Sequence, residues 1–287
     1  MIRTDPLSPA SLPARPDAQQ GPIGADAGQP RASIVKRSLL LLAPVIGVVG
    51  FLALWQLAIA VFDIKKFVLP APWDILGHIK SAPGFYVRNA RTTVWESFLG
   101  FTIAFVLAMV GATIMAMSKF AERAILPLAV LLQVTPLIAY APAIVIWQGF
   151  GLKPILIMTS LVCFVPFLIN GVLGLRSVDP NLLELARSVN ASWREEFFRL
   201  RLPSALPSLF SAGRIAVGLA LIGSVLGEFF SGTTGGLGWS VKTAQAHSLT
   251  LQLWGSVFVL AFVGAAATIL IIGLERLALH WHSSQRV

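Results

Sequence analysis

This sequence predicts an all-α, polytopic membrane protein with about six transmembrane helices, on three observations. The first is composition: 56% of its residues are hydrophobic and 12% charged, where an ordinary soluble domain carries about 25% charged. The second is the recurrence of uncharged apolar stretches long enough to cross a bilayer, in which a helix satisfies its own backbone hydrogen bonds. The third is that the basic residues gather between these stretches, where Lys and Arg flank membrane helices. The 24 glycines and 18 prolines fit this class, because both are tolerated in membrane spans.

Residues 1–35 hold six prolines (Pro6, Pro9, Pro13, Pro16, Pro22, Pro30) and no apolar period, the pattern of a disordered tail. The first span is expected at 38–62, uncharged from Ser38 to Phe62 and about 37 Å long as a helix. That exceeds the core of a cleavable signal peptide. Residues 63–94 are mixed and polar, with turn signals at Pro70, Pro72, Pro83 and Gly84. The second span runs from Ser97 to Met117. A charged connection from Lys119 to Arg123 leads into the third, Ala124 to Leu152, which Pro127, Pro136 and Pro142 should kink or break. The fourth covers Pro154 to Leu175, the fifth residues 207–230, and the sixth residues 254–274. A Gly-rich loop from Gly232 to Gly238 precedes the sixth.

The formal charge of +9 does not indicate a nucleic-acid partner, since the cations are dispersed between spans and form no recognition motif. The single cysteine, Cys163, excludes an intramolecular disulfide and reads as a small buried hydrophobe. With the N-terminus in the cytoplasm, fifteen Lys and Arg fall on that side and seven on the other. The bias favours both termini inside, and it puts the charged segment after the fourth span in the cytoplasm.

That segment, 179–203, is written as two short helices with punctuation. Asp179 is a good N-cap and Pro180 suits the first helical position. Leu182, Leu185, Ala186 and Val189 recur at helical spacing. Asn190 can end the helix because it tolerates the left-handed conformation. Ser192 and Glu195 have the spacing of a capping box. Pro203 and Pro207 should limit the second helix before the fifth span.

These residues resemble the cytoplasmic coupling loop of ATP-driven (ABC) importer permeases, whose pattern is Glu-Ala-Ala, three residues, Gly, nine residues, then Ile, any residue, Leu-Pro. Glu184, Ala186, Leu202 and Pro203 match it and Leu200 stands for the Ile. Leu185 replaces the first Ala, and Asn190 replaces the Gly. The similarity covers residues 90–276, as a type I permease domain. Asn89 to Phe101, Thr135 to Pro142, Trp147 to Gly151, Glu228 to Phe230 and Gly235 to Trp239 are similar to the nitrate, sulfonate and taurine permeases. That branch also serves other small nutrients, including vitamin precursors.

The resemblance implies the rest. Two permease chains, in the simplest case a homodimer, would form one pathway in the bacterial inner membrane. The 184–192 region, including Ala191 and Ser192, would dock onto cytoplasmic ATPase subunits, and a periplasmic or extracellular binding protein would deliver the solute. The chain would carry no cofactor, ATP being bound by the ATPase. Residues 236–243 faintly resemble a phosphate-binding loop, but Val241 stands at the second required glycine and no strand precedes it.

Polar residues in the broken third span, Gln133, Thr135, Tyr140 and Gln148, would line the pathway together with Pro136, or else bond between helices. Glu228 would line it as a gate contact or cap the following turn. Arg214 reads as a snorkelling cation. His280 and His282, two apart, suit no zinc motif and read as solvated tail residues. The alternative function is a self-contained secondary carrier or channel, which predicts intramembrane carboxylates or an inverted repeat of broken helices.

Overall fold

The computed structural model describes residues 34–279, and among them there are helices and turns but no strand. The expected tail, save Ile34 and Val35, and both His280 and His282 lie outside the described residues. The chain divides into two compact units, 1–52 and 53–287. The first holds the N-terminal part of α1 (Ile34–Val61), which begins ahead of the apolar run and is 28 residues long. At about 1.5 Å per residue that is ample for a crossing.

The second unit holds every other element. The expected turn region after α1 contains a further helix, α2 (Pro72–Ser81), and the first turns of α3 (Pro83–Met117). Pro72 and Pro83 open these helices, because the N–H that proline lacks has no intrahelical partner at a first position. The charged connection is helical too: Ser118 caps α4 (Lys119–Val134) by accepting from the Ala121 N–H at 3.2 Å. The third span is broken as its prolines predict, with α4 and α5 (Leu137–Gln148) meeting at 102°. The break falls at Thr135–Pro136, while Pro127 and Pro142 stay inside their helices.

α6 (Leu152–Leu175) is followed by α7 (Pro180–Ser188) and α8 (Trp193–Glu195). From α8 the helix runs on through a π-helical turn, Glu196–Arg201, into α9 (Leu202–Phe230). Pro203 and Pro207 therefore do not stop the chain. Leu202 N bonds to Phe197 O across the widened turn, and Pro203 enters where the α-helical ladder has already been relaxed. After α9 come α10 (Leu237–Ala246), which the apolar pattern did not foretell, and α11 (Thr250–Ala278).

Among the described residues four helices are long and apolar enough to span a membrane, and the bent α4–α5 pair makes a fifth. With α1 the set agrees with the expected six. α6 is the centre, packing against α3 and α9. Ala104, Ala108 and Ala112 of α3 recur every fourth residue and are buried, as are Ala212, Ala216 and Ala220 of α9. Small residues let helices approach in a medium where apolar burial alone drives no association. At Gly227 the approach requires glycine, since a Cβ there would stand 2.7 Å from Ile155 Cα. Phe167 is buried in the core, edge-on to Phe101 and Phe105 at 5.0 and 5.3 Å. Cys163 is buried, its thiol donating to Ala216 O at 3.3 Å. Outward positions such as Val110, Phe262 and Leu270 are exposed and apolar.

Arg214, read as a snorkelling side chain, is exposed and also has an ion-pair partner. Its Nε donates to Glu275 Oε2 of α11 at 2.6 Å, and Glu275, one residue past the expected sixth span, is buried within that helix.

Candidate functional site

The polar segment between α6 and α9 is built from its caps. Asp179 Oδ1 accepts from the Asn181 N–H at 2.9 Å and starts α7. The helix ends in a Schellman motif: Ala191 N bonds Ala186 O at 2.9 Å and Asn190 N bonds Arg187 O at 3.0 Å. Asn190 lies in the left-handed region, φ 56°, the role glycine usually fills. Ser192 and Glu195 close the next turn with a complete capping box, Ser192 N donating to Glu195 Oε2 at 3.0 Å.

The rest of the segment stands on the ends of the bundle. Arg176, after α6, holds both oxygens of Glu122 on α4 at 2.9 and 2.8 Å and donates to Met115 O of α3 at 2.6 Å. Arg201 clamps Glu196 Oε1 through two nitrogens at 2.8 and 2.6 Å, and reaches Leu175 O, at the end of α6, at 3.3 Å. Thus two guanidiniums fasten the segment to three long helices. The charge pattern marked these residues without revealing their partners.

What the scaffold displays is apolar. Leu182, Leu185, Val189 and Trp193 are all about half or more exposed. Glu184, Asn190 and Ser192 are exposed, while Ala186, Ala191, Leu200, Leu202 and Pro203 are half-buried. α7 is short, polar on balance and unburied by its own chain, so its leucines are positioned for another surface to cover.

The broken span forms a second feature. Gln133, Thr135, Pro136 and Tyr140 line one cavity of about 270 Å³, together with residues that include Val165 and Leu219. Thr135 Oγ1 already donates to Leu131 O at 2.9 Å, leaving its lone pairs free. Gln148 is exposed beyond the cavity.

Glu228 does not join them. It is fully buried, and Oε2 accepts from the Gly238 and Trp239 N–H groups at 2.5 and 3.2 Å, in the first turn of α10. Oε1 accepts from Thr93 Oγ1 of α3 at 2.7 Å. Thr93 in turn accepts from Leu237 N at 2.7 Å, and Asn89 Oδ1 from Gly236 N at 3.0 Å. The expectation of a pathway-lining Glu228 is thus corrected: of the two roles considered, the geometry shows the cap. Its carboxylate meets the N–H groups that a helix start leaves without partners. The spacing of Asn89, Thr93 and Ser97 on one face of α3 was the available sequence signal for this joint. Among the described residues no group of three or more metal-ligating side chains assembles.

Known proteins agree with this architecture. The family model described as "Binding-protein-dependent transport system inner membrane component" matches residues 100–279. The formylaminopyrimidine transport permease protein ThiX of Halalkalibacterium halodurans is 29% identical over 252 residues, 88% of this chain and all of that one. SsuC of Escherichia coli strain K12, a permease named for aliphatic sulfonates transport, is 30% identical over 88% of this chain and 96% of its own. A chain of the inward-facing MetNI methionine ABC transporter superposes with a TM-score of 0.60 at 16% identity, covering 69% of this chain and 98% of that one. It shares the fold.

Proposed function

Since the chain belongs to the binding-protein-dependent transport system inner membrane component family, and is thus an ABC importer permease and not an enzyme, we propose that it forms the translocation pathway for a small nutrient. The solute class is sulfonate, taurine, nitrate or vitamin precursor, the range in which permeases named for formylaminopyrimidine and aliphatic sulfonates fall. Two copies of the chain form one pathway in the bacterial inner membrane, with both termini in the cytoplasm. A binding protein outside delivers the solute, and ATP is bound and hydrolysed on cytoplasmic ATPase subunits, with no cofactor in this chain.

The observation that carries this reading is the capped α7, set between bundle-anchored flanks, with Leu182 and Leu185 bare. A helix with a side-chain cap at its start and a backbone Schellman turn at its end, set between two arginine clamps on the flanking residues, moves as a unit with α3, α4, α6 and α9. An ATPase gripping Leu182, Leu185 and Val189 in a groove therefore transmits its closure to the helices around the cavity. Ala186 O and the left-handed Asn190 fix where the helix ends, and Glu184 is exposed on it. Solute passes beside Gln133, Thr135, Pro136 and Tyr140, where the 102° break between α4 and α5 frees backbone groups toward the cavity.

Purification from a native membrane tests the partner. An ATPase subunit co-purifies with the wild-type chain, and Ala186→Arg together with Glu184→Arg removes it while the permease stays in the membrane. Co-purification that is indifferent to these substitutions, or ATP-independent solute uptake by the chain alone in vesicles, would sink the reading in favour of a carrier.

A further inference from the structure

We propose that the flank of α3 and α6 binds one anionic phospholipid, its phosphate held by Arg91 and one acyl chain lying in an apolar slot farther along the same helices. The two helices run in the same direction, Gly100 packing on Thr159 and Gly111 on Leu168. Near their starts Arg91, Thr92, Trp95 and Phe98 of α3 and Leu152 of α6 line a groove of about 690 Å³. Farther along, Ile103 and Leu107 of α3, Leu156 and Phe164 of α6 and Leu132 of α4 line a slot of about 330 Å³. The one polar side chain in the slot is Ser160, whose hydroxyl donates to Gly100 O at 3.1 Å.

The groove is cationic and lacks a counter-charge. Arg91 is exposed, as are Arg88 one turn before it and Lys153 beside Leu152. None of the three has an ion-pair partner among the described residues, whereas Arg176, Arg201 and Arg214 each have one. The carboxyl that borders the groove, Glu96, is only 5% exposed and leaves the surface positive. A guanidinium matches the geometry of a phosphate, and clustered cations at a membrane surface favour anionic headgroups. Trp95 and Phe98 are exposed and stack 6.1 Å apart in the same groove, and an indole settles at headgroup level.

Length selects the occupant. From position 91 to position 107 the helix advances about 24 Å, and one leaflet of a bilayer with its headgroups is about 20–22 Å deep. A lipid with its phosphate at Arg91 therefore lays the end of its chain in the slot beside Leu107. Leu132 and Leu161 border both this slot and the cavity at the α4–α5 break. The bound chain packs against the back of that wall and braces α4 against α3 and α6, whatever solute the protein carries.

Native mass spectrometry and thermal denaturation of the transporter purified in mild detergent test this. The probes are dioleoyl phosphatidylglycerol, dioleoyl phosphatidylcholine and free glycerol 3-phosphate. Phosphatidylglycerol binds the wild type and raises its melting temperature by about 3 °C or more, and neither of the other two does so at the same concentration. Arg91→Glu with Lys153→Glu weakens phosphatidylglycerol binding by about tenfold or more while the lipid-free melting temperature stays at the wild-type value. Leu107→Trp fills the slot and weakens binding with the cations in place. The proposal is overturned if the two lipids bind the wild type alike, if glycerol 3-phosphate alone reproduces the shift, or if both variants bind phosphatidylglycerol as the wild type does. It is overturned equally if light scattering shows the variants separating two copies of the chain with lipid binding unchanged, the groove then being an interface between copies.

Discussion

Ala191 donates its backbone N–H to Ala186 O at 2.9 Å, closing α7 over the left-handed Asn190. The bond decides where the display helix ends and how the chain turns into α8. Replacing Asn190 tests its weight. Asn190→Val forces a β-branched residue into φ 56° and costs about 1–2 kcal/mol locally, seen as faster amide hydrogen exchange across 182–191. Asn190→Gly leaves exchange within about threefold of wild type, because glycine takes this conformation freely.

Arg201 is the stronger of the two clamps, with side-chain exposure of 18% against 14% for Glu196. Arg201→Ala leaves the Glu196 carboxylate half-buried and unpaired, and destabilises the protein in detergent by about 2 kcal/mol. Arg201→Lys recovers less than half of that, since one ammonium cannot reproduce the two-nitrogen grip on Oε1 while reaching Leu175 O. Thermal denaturation of the purified variants measures both.

Gly227 sets the distance between α9 and α6. A methyl added there stands 2.7 Å from Ile155 Cα, and backbone cannot yield as a flexible side chain does. Gly227→Ala therefore costs about 1–3 kcal/mol, read as a lower melting temperature and reduced recovery from the membrane. Gly218→Ala, where a Cβ meets nothing within 4 Å, is close to neutral or stabilising in the same assay.

Tyr140 and Gln133 bear on the pathway. Tyr140→Phe removes one hydroxyl from the cavity wall and raises the KM for uptake by about fivefold to tenfold, while basal ATP hydrolysis by the assembled complex is unchanged. Gln133→Ala shifts KM in the same direction. An unchanged KM in both would place solute recognition outside this cavity.

The spans, the break at Pro136 and the caps of α7 were legible because each rests on local chemistry: an apolar run, a missing N–H, a side chain that can cap. Asn190 is the clearest case, since its left-handed conformation follows from residue type and position alone. Pro203 misled for the same reason, read as a stop when the relaxed π-helical turn before it lets the helix continue. α10 escaped notice because it is short and mixed, and its start is fixed by Glu228 from another helix. Arg214 and Glu275 are 61 residues apart in sequence, and no spacing rule links them. The pathway reading of Glu228 gave way to the cap likewise: its partner Thr93 comes from α3, 135 residues away.

The most direct measurement is ATP-driven solute uptake by the complete transporter carrying Leu185→Asp, a change confined to the exposed face of α7. The account predicts that uptake and solute-stimulated ATP hydrolysis are lost while the permease keeps its melting temperature and membrane insertion, because Leu185 is 61% exposed and contributes little to the fold. Uptake at the wild-type rate with this charge in place would contradict the assignment of α7 as the surface through which ATP hydrolysis reaches the pathway.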